Sequence, residues 1–256
     1  MLEIEKLEDL SVIIACYDED EAVKRVSEKI VNLYNCEVIV MCAKNNSTYN
    51  ILKKINNQNI KVFLNHDDKG KGHALWQGIK KTNKPLICNI DADEQFSAED
   101  IIKLYKKIKE NNDLTAVHAT RFAKNSDRSN YSGEGVRTIG NSIMAIMAST
   151  LTFRKITDAV AGFKLWKRDF LIENEPLDQH LFYEFELIFS MFFKKLNFIE
   201  VPITYSSRSE GVSRQGVGNF QLSYRGIKFI LWGLYTYFLM LVNIYDSKRF
   251  SKQKKR

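Results

Sequence analysis

Apolar positions along this chain change period repeatedly. Leu10–Cys16, Glu37–Cys42 and Ile60–Leu64 are short, nearly unbroken apolar runs and read as buried strands. Between the first two, Val23, Val26, Ile30 and Leu33 recur at helical spacing, predicting a helix over Ala22–Leu33. Asn45-Asn46-Ser47-Thr48 reads as a turn and cap before a helix around Ile51–Ile55. Gly70-Lys71-Gly72 then opens a helix through Ala74, Leu75 and Ile79, and a fourth apolar run starts at Pro85 and is expected to run as a strand into Asp91. This β-α-β-α order predicts an α/β unit: a mostly parallel central sheet with helices on both faces.

The second half continues in the same style. Ser97 is placed to cap a helix running to Asn111, with Ile101, Ile102, Tyr105 and Ile108 as its apolar stripe. Leu114–Thr120 reads as a strand leading to Arg121. The polar stretch Phe122–Glu134 has the length of a functional lid or a mobile loop. A long apolar helix runs from about Ile139 to Leu151, and a very aromatic one, carrying Glu184 and Glu186, from Phe182 to Phe193. Pro202 makes Glu200–Tyr205 an edge strand, and Arg208–Arg214 follows as a glycine-containing basic loop.

The chemistry concentrates at Asp91-Ala92-Asp93-Glu94-Gln95. If the strand continues into this stretch, alternation puts Asp91 and Asp93 on one side. Paired carboxylates need a compensating cation, and a hard divalent ion such as Mg²⁺ or Mn²⁺ suits oxygen ligands. A solvated loop that caps the next helix is the plainer alternative. Gly70-Lys71-Gly72 matches neither the dinucleotide fingerprint nor the P-loop; it is either a phosphate-holding helix start or a turn.

Composition adds constraints. The 256 residues are 45% hydrophobic and 27% charged, enough for a sizeable core. The net charge of +7 favours an anionic partner: nucleic acid, a phosphorylated ligand or a membrane surface. Nucleic acid fits least, because no stacking or recognition motif accompanies the charge. Cys16, Cys36, Cys42 and Cys88 lack metal-site spacing and read as buried thiols of a reducing compartment. The four histidines show no metal-ligand spacing either.

Taken together, these blocks resemble family 2 glycosyltransferases with the GT-A fold, and most of all the polyprenyl-phosphate, dolichol-phosphate mannose synthase-like branch. The resemblance lies in Val12-Ile13-Ile14-Ala15-Cys16-Tyr17-Asp18-Glu19, Gly70-Lys71-Gly72-His73-Ala74, the Asp91–Gln95 stretch, Arg137 through Trp166, Glu200-Val201-Pro202-Ile203, and Arg208 through Arg214. All occur in family order between about residues 10 and 215. One departure stands out. Where the family carries acids after its second strand, this chain has Cys42-Ala43-Lys44-Asn45-Asn46-Ser47. That puts base and ribose recognition in question.

The resemblance implies an inverting transfer of a sugar from a nucleotide-sugar, GDP-mannose or a UDP-hexose, to a polyprenyl phosphate. It implies Mg²⁺ or Mn²⁺ held by Asp91, Asp93 and Gln95. It assigns donor binding to Ala15, Tyr17, Glu19, Asn45, Lys71, Asp91, Ala92, Arg208 and Arg214, and catalysis to Asp93, Arg121 and Arg137. The arginines suit phosphate because a planar fork bonds two oxygens at once. Asp158 and Glu184 are expected to orient arginines or to form structural ion pairs. A glycan acceptor and a non-catalytic binding role are the alternatives.

No Gly/Ser-rich linker marks a domain boundary. The resemblance divides the chain into a glycosyltransferase unit, 1–220, and a C-terminal apolar helix with a basic tail, 221–256. Phe229–Val242 holds no charge and several aromatics, and Lys248–Arg256 is strongly basic. That combination favours a helix lying in the membrane interface over one that spans it. The expected place is the cytoplasmic membrane surface, with peripheral attachment.

Overall fold

The computed structural model describes residues 6–17, 19–43, 47–131, 135–209 and 219–244. Strands β1 (Leu10–Cys16) and β2 (Glu37–Ala43) are joined by α1 (Asp20–Tyr34), and β2 is joined to β3 (Ile60–Asn65) through α2 (Ser47–Leu52). Helix α3 (Lys71–Ile79) leads to β4 (Leu86–Asn89). A 3-10 turn at Ala98–Asp100 and α4 (Ile101–Glu110) lead to β5 (Leu114–Thr120). Then come α5 (Gly135–Thr152), β6 (Lys164–Lys167), α6 (Arg168–Glu173), α7 (Tyr183–Phe193), β7 (Asn197–Pro202) and α8 (Asn219–Leu241).

The strands form one sheet in the order β3-β2-β1-β4-β6-β5-β7. All pairs are parallel except those of β6, which runs antiparallel to β4 and β5. The expected α/β architecture is therefore present, and β7 is the edge strand that Pro202 predicted. Alternation along β1 explains the two layers. Val12 and Ile14 face a core formed with α1 and α4, and Ile13 faces a second core formed with α3 and α7. Both faces are buried, so the strands read as continuous apolar runs.

Several local expectations change. The second helix covers Ser47–Leu52, so Ser47 and Thr48 lie inside it and Ile55 outside. Their hydroxyls bond the Asp20 carboxylate at the start of α1. Ser97 caps no helix; its hydroxyl donates to Glu99, because a 3-10 turn intervenes before α4. The polar loop after β5, expected to be a functional lid or mobile, is anchored to its neighbours in its described part. Asp127 bridges Thr204, and Tyr131 packs on Tyr205.

Helix α8 packs its inner face against α5 and α7. Phe229, Thr236, Leu239 and Met240 are buried there. Among the described residues, no helix is long and apolar enough to cross a membrane. The tie between α7 and α8 is polar as well as apolar. Glu186, fully buried on α7, accepts from the Leu177 and Asp178 amides at 2.6 and 2.8 Å and from Trp232 Nε1 at 3.0 Å. Glu186→Ala strands three half-buried donors. It should destabilise the fold by about 3 kcal/mol or more, as read from urea unfolding. A loss under 1 kcal/mol would show that water replaces the carboxylate.

Candidate active site

The site lies beyond the C-terminal ends of the parallel strands, where ligands of open α/β sheets collect. Strand β4 stops at Asn89, two residues before Asp91. Asp91 and Asp93 are therefore brought together by a turn, not by strand alternation. The turn contains Glu94 at φ 61°, a left-handed conformation uncommon outside glycine. Arg25 on α1 holds Glu94 with a two-pronged contact at 3.1 and 2.8 Å, and the Ser209 hydroxyl adds a third bond.

Antiparallel β6 delivers a second segment to the same place. Its entry residue Gly162 sits directly against Asp91, and a Cβ there would collide with the carboxylate. Buried Asn89 fixes this approach, donating to the Gly162 carbonyl at 3.0 Å and accepting from Trp166 Nε1 at 2.9 Å.

Two cations balance the acid pair. Lys71 Nζ lies 2.5 Å from Asp91 Oδ1, and Arg208 Nη2 lies 2.7 Å from Asp93 Oδ2. Arg208 also faces Glu19 at 3.8 Å. Burial and the Asp91 charge push Asp93 up to about 6, against the pull of Arg208. Burial opposes the charge on Lys71, but contact with Asp91 outweighs it and holds the ammonium above its ordinary range. The first turn of α3 is already engaged: the Gly72 and His73 amides donate to the carbonyls of His180 and Gln179 at 2.8 and 2.7 Å. The glycines therefore serve the turn and its packing, and Lys71 carries the site chemistry of this block.

Arg121 is positioned by a relay. Its guanidinium makes a two-pronged contact with buried Asp158 at 2.6 and 2.8 Å. Burial opposes the Arg121 charge, and Asp158 more than restores it. Asp158 is held in turn by Glu200 of β7, which accepts from the Thr157 and Asp158 amides at 2.8 Å each. Burial raises Glu200 in spite of those bonds. Glu184 forms the other buried pair, 2.7 Å from Lys164 Nζ.

These groups line one cleft of about 610 Å³. It brings together Ala15, Tyr17, Glu19, Lys71, Asp91, Ala92, Asp93, Gln95, Arg121, Arg137 and Arg208, all named from the sequence. Asn45 and Arg214, the remaining two, lie outside the described residues, as does the basic tail. Asn65, Asp68, Tyr131, His180, Met144 and Phe229 also line the cleft and went unnoticed. Asp68 stands just ahead of the Gly70-Lys71-Gly72 block; Asn65 ends β3, Met144 and Phe229 lie on α5 and α8, and Tyr131 and His180 lie in connecting segments, so only the fold reveals these.

The donor set of Asp91, Asp93 and Gln95 is all oxygen if Gln95 turns its carbonyl inward; its amide nitrogen reaches the Ser206 carbonyl at 3.4 Å. No group of three or more His, Cys, Asp or Glu ligands occurs among the described residues. Two carboxylates completed by ligand phosphate oxygens suit a hard, small divalent cation.

Residues 11–174 match the family described as Glycosyl transferase family 2. The chain belongs to this family. Among curated relatives, a dolichyl-phosphate hexose transferase from Haloferax volcanii is 23% identical, over 79% of this chain and 85% of that protein. A dolichol-phosphate mannosyltransferase from Pyrococcus furiosus is 26% identical over 80% of this chain, which spans only 58% of that protein's length. Among solved structures, glucosyl-3-phosphoglycerate synthase from Mycobacterium tuberculosis, crystallised with Mn²⁺, UDP and phosphoglyceric acid, superposes with a TM-score of 0.66. It is 17% identical and covers 89% of this chain and 78% of that one. The fold is thus a GT-A fold.

A raised Asp93 has a definite sign. Folded, the carboxyl holds a proton up to about pH 6; unfolded, it releases it near 3.8, so this group's contribution to stability falls as pH rises between those values. A ¹³C carboxyl titration should place the Asp93 midpoint near 6 and move it higher in Arg208→Gln. A midpoint near 4 in both proteins would remove the argument for a tightly coupled acid pair.

Proposed function

We propose that this glycosyltransferase moves a hexose from a nucleotide-sugar, GDP-mannose or a UDP-hexose, to a polyprenyl phosphate, with inversion at the anomeric carbon. The observation that carries the reading is the composition of the cleft. The acid pair, Lys71, Arg121 and Arg137 all line it. Helices α5 and α8 give it an apolar wall through Met144 and Phe229. The names of the Haloferax and Pyrococcus relatives support the same acceptor class.

The residues divide the work. Asp91 and Asp93, with Gln95 beside them, would hold Mg²⁺ or Mn²⁺, which supplies charge neutralisation on the departing diphosphate. Lys71 lies on the same carboxylate and can turn from Asp91 to a phosphate oxygen of the donor. Arg208, between Asp93 and Glu19, can do likewise. Arg121, fixed by Asp158, and Arg137, at the mouth of α5, hold the acceptor phosphate in line. That phosphate is an anion at neutral pH, so no strong general base is required.

The outer faces of the two helices suit a lipid acceptor. On α5, Ile139, Ile143 and Ile146 are exposed, and on α8 so are Ile227, Leu231, Leu234, Phe238 and Leu241. Ile146 and Leu231 are 65% and 60% exposed, so among the described residues these large apolar side chains have little cover. Lying on a membrane, this face would hold the cleft mouth at headgroup level.

Three experiments test this. Asp93→Ala should abolish transfer to polyprenyl phosphate and Mn²⁺-dependent binding of the donor while the melting temperature holds. An active variant would sink the assignment. Arg137→Lys should raise KM for the acceptor about tenfold or more and leave donor affinity within about twofold, since it keeps charge but loses the fork. For the membrane, the double variant Ile146→Glu, Leu231→Glu should lose most flotation with anionic vesicles and remain folded. Unchanged flotation would place the membrane contact elsewhere.

A further inference from the structure

Two thiols face each other in the floor of the cleft. Cys16 ends β1, Cys42 lies near the end of β2, and the two are partners in register. The Cys16 thiol donates to Cys42 Sγ at 3.3 Å. Neighbouring strands run about 4.8 Å apart, inside the about 4.4–6.8 Å that Cα atoms of bridged cysteines span. Both thiols are free, so the pair is placed for a disulfide it does not yet have. The other two cysteines stand elsewhere: Cys36 precedes β2, and Cys88 is in register with Val12, well before Cys16 on β1.

The two sulfurs differ in access. Cys16 is 6% exposed and lines the cleft, whereas Cys42 is fully buried beneath it. A small neutral oxidant entering the cleft meets Cys16 first, and Cys42 stands behind it. The chain around the pair belongs to the cleft as well. Ala15, Tyr17 and Ala43 line it, and Glu19 faces Arg208. A disulfide holds its sulfurs at about 2.05 Å, so these two must close further. A close-packed core does not compress to allow this, so the strand ends carrying Tyr17 and Ala43 take up the movement.

We propose that Cys16 and Cys42 form a reversible thiol–disulfide switch under the donor end of the cleft, whose oxidation weakens nucleotide binding. What the switch controls rests on the nucleotide-sugar reading above; the bond itself does not. Hydrogen peroxide serves as oxidant. Cys16 Sγ, as thiolate, attacks one peroxide oxygen, the O–O bond breaks, and water leaves a sulfenic acid on Cys16. Cys42 Sγ attacks that sulfur, the S–O bond breaks, and a second water departs. Two thiols lose two electrons and two protons, and one peroxide becomes two waters. A small dithiol reverses the bond by exchange. The facing Cys42 thiol and burial, with Glu19 and Asp20 nearby, hold Cys16 well above the ordinary thiol range. Few thiolates form, so the switch answers sustained oxidation and not a brief pulse.

Two measurements on the full chain test this: peptide mass mapping after peroxide and alkylation in denaturant, and calorimetry with Mn²⁺ and UDP or GDP. Mapping should join Cys16 to Cys42 and find Cys36 and Cys88 alkylated. The oxidised protein should bind its preferred nucleotide about tenfold more weakly or worse, and dithiothreitol should restore it. Diamide, which couples paired thiols, should do the same to wild type and leave Cys42→Ala within about twofold. Cys42→Val stands in if the alanine variant melts early. No bond, or a bond between Cys36 and Cys88, overturns the inference and leaves the donor reading standing. A Cys16–Cys42 bond that leaves affinity unchanged overturns it too, as does an equal loss in the variants. If reduced wild type binds neither nucleotide, the donor reading fails, and control of that binding fails with it even where the bond forms.

Discussion

Everything at this site depends on balancing two carboxylates at the end of one buried strand. Asp93 is nearly inaccessible and lies close enough to Asp91 for each charge to oppose the other. The fold answers with Lys71 from α3 and Arg208 from the segment after β7, each at salt-bridge distance. Both cations come from far along the chain. The acid turn therefore requires the helix after β3, the segment after β7 and Arg25 of α1 to converge on it. A ligand bearing phosphates and a metal would enter the same balance, with metal charge and phosphate charge replacing protein partners.

The antiparallel strand is the second constraint. Because β6 runs against its neighbours, its entry segment, Asp158 to Gly162, arrives at the sheet end where β4 and β5 finish. One reversal delivers two functions. Gly162 lets the backbone lie on Asp91, and Asp158 seizes Arg121. Glu200 of β7 then clamps that segment by its amides, so the edge strand steadies an arginine it does not touch.

Helices α5 and α8 connect chemistry to surroundings. Their inner faces belong to the same core as α7 and both help wall the cleft, while their outer faces carry exposed isoleucine, leucine and phenylalanine. One helix pair thus closes a polar cleft on one side and presents an apolar face on the other. That arrangement suits an acceptor with a charged head and a hydrocarbon tail.

The alternation of apolar runs and helical stripes told the order of most elements, the bounds of β1 and β5, and the edge position of β7. Motif order told the family, and residue type told which acids and arginines to watch. Those features are written locally, in periods of two and 3.6 and in short blocks. Tertiary structure alone decided the rest. Asp91 and Asp93 meet through a strained turn, because β4 ends at Asn89. The short antiparallel β6, with too few residues to show a period, carried no readable sign of its direction. Cys16 and Cys42 read as separate buried thiols until β1 was laid beside β2, since register is a property of neighbours and not of sequence. The pairings that matter, Arg25 with Glu94, Lys71 with Asp91, Asp158 with Glu200, join segments that only the closed sheet brings within bonding distance.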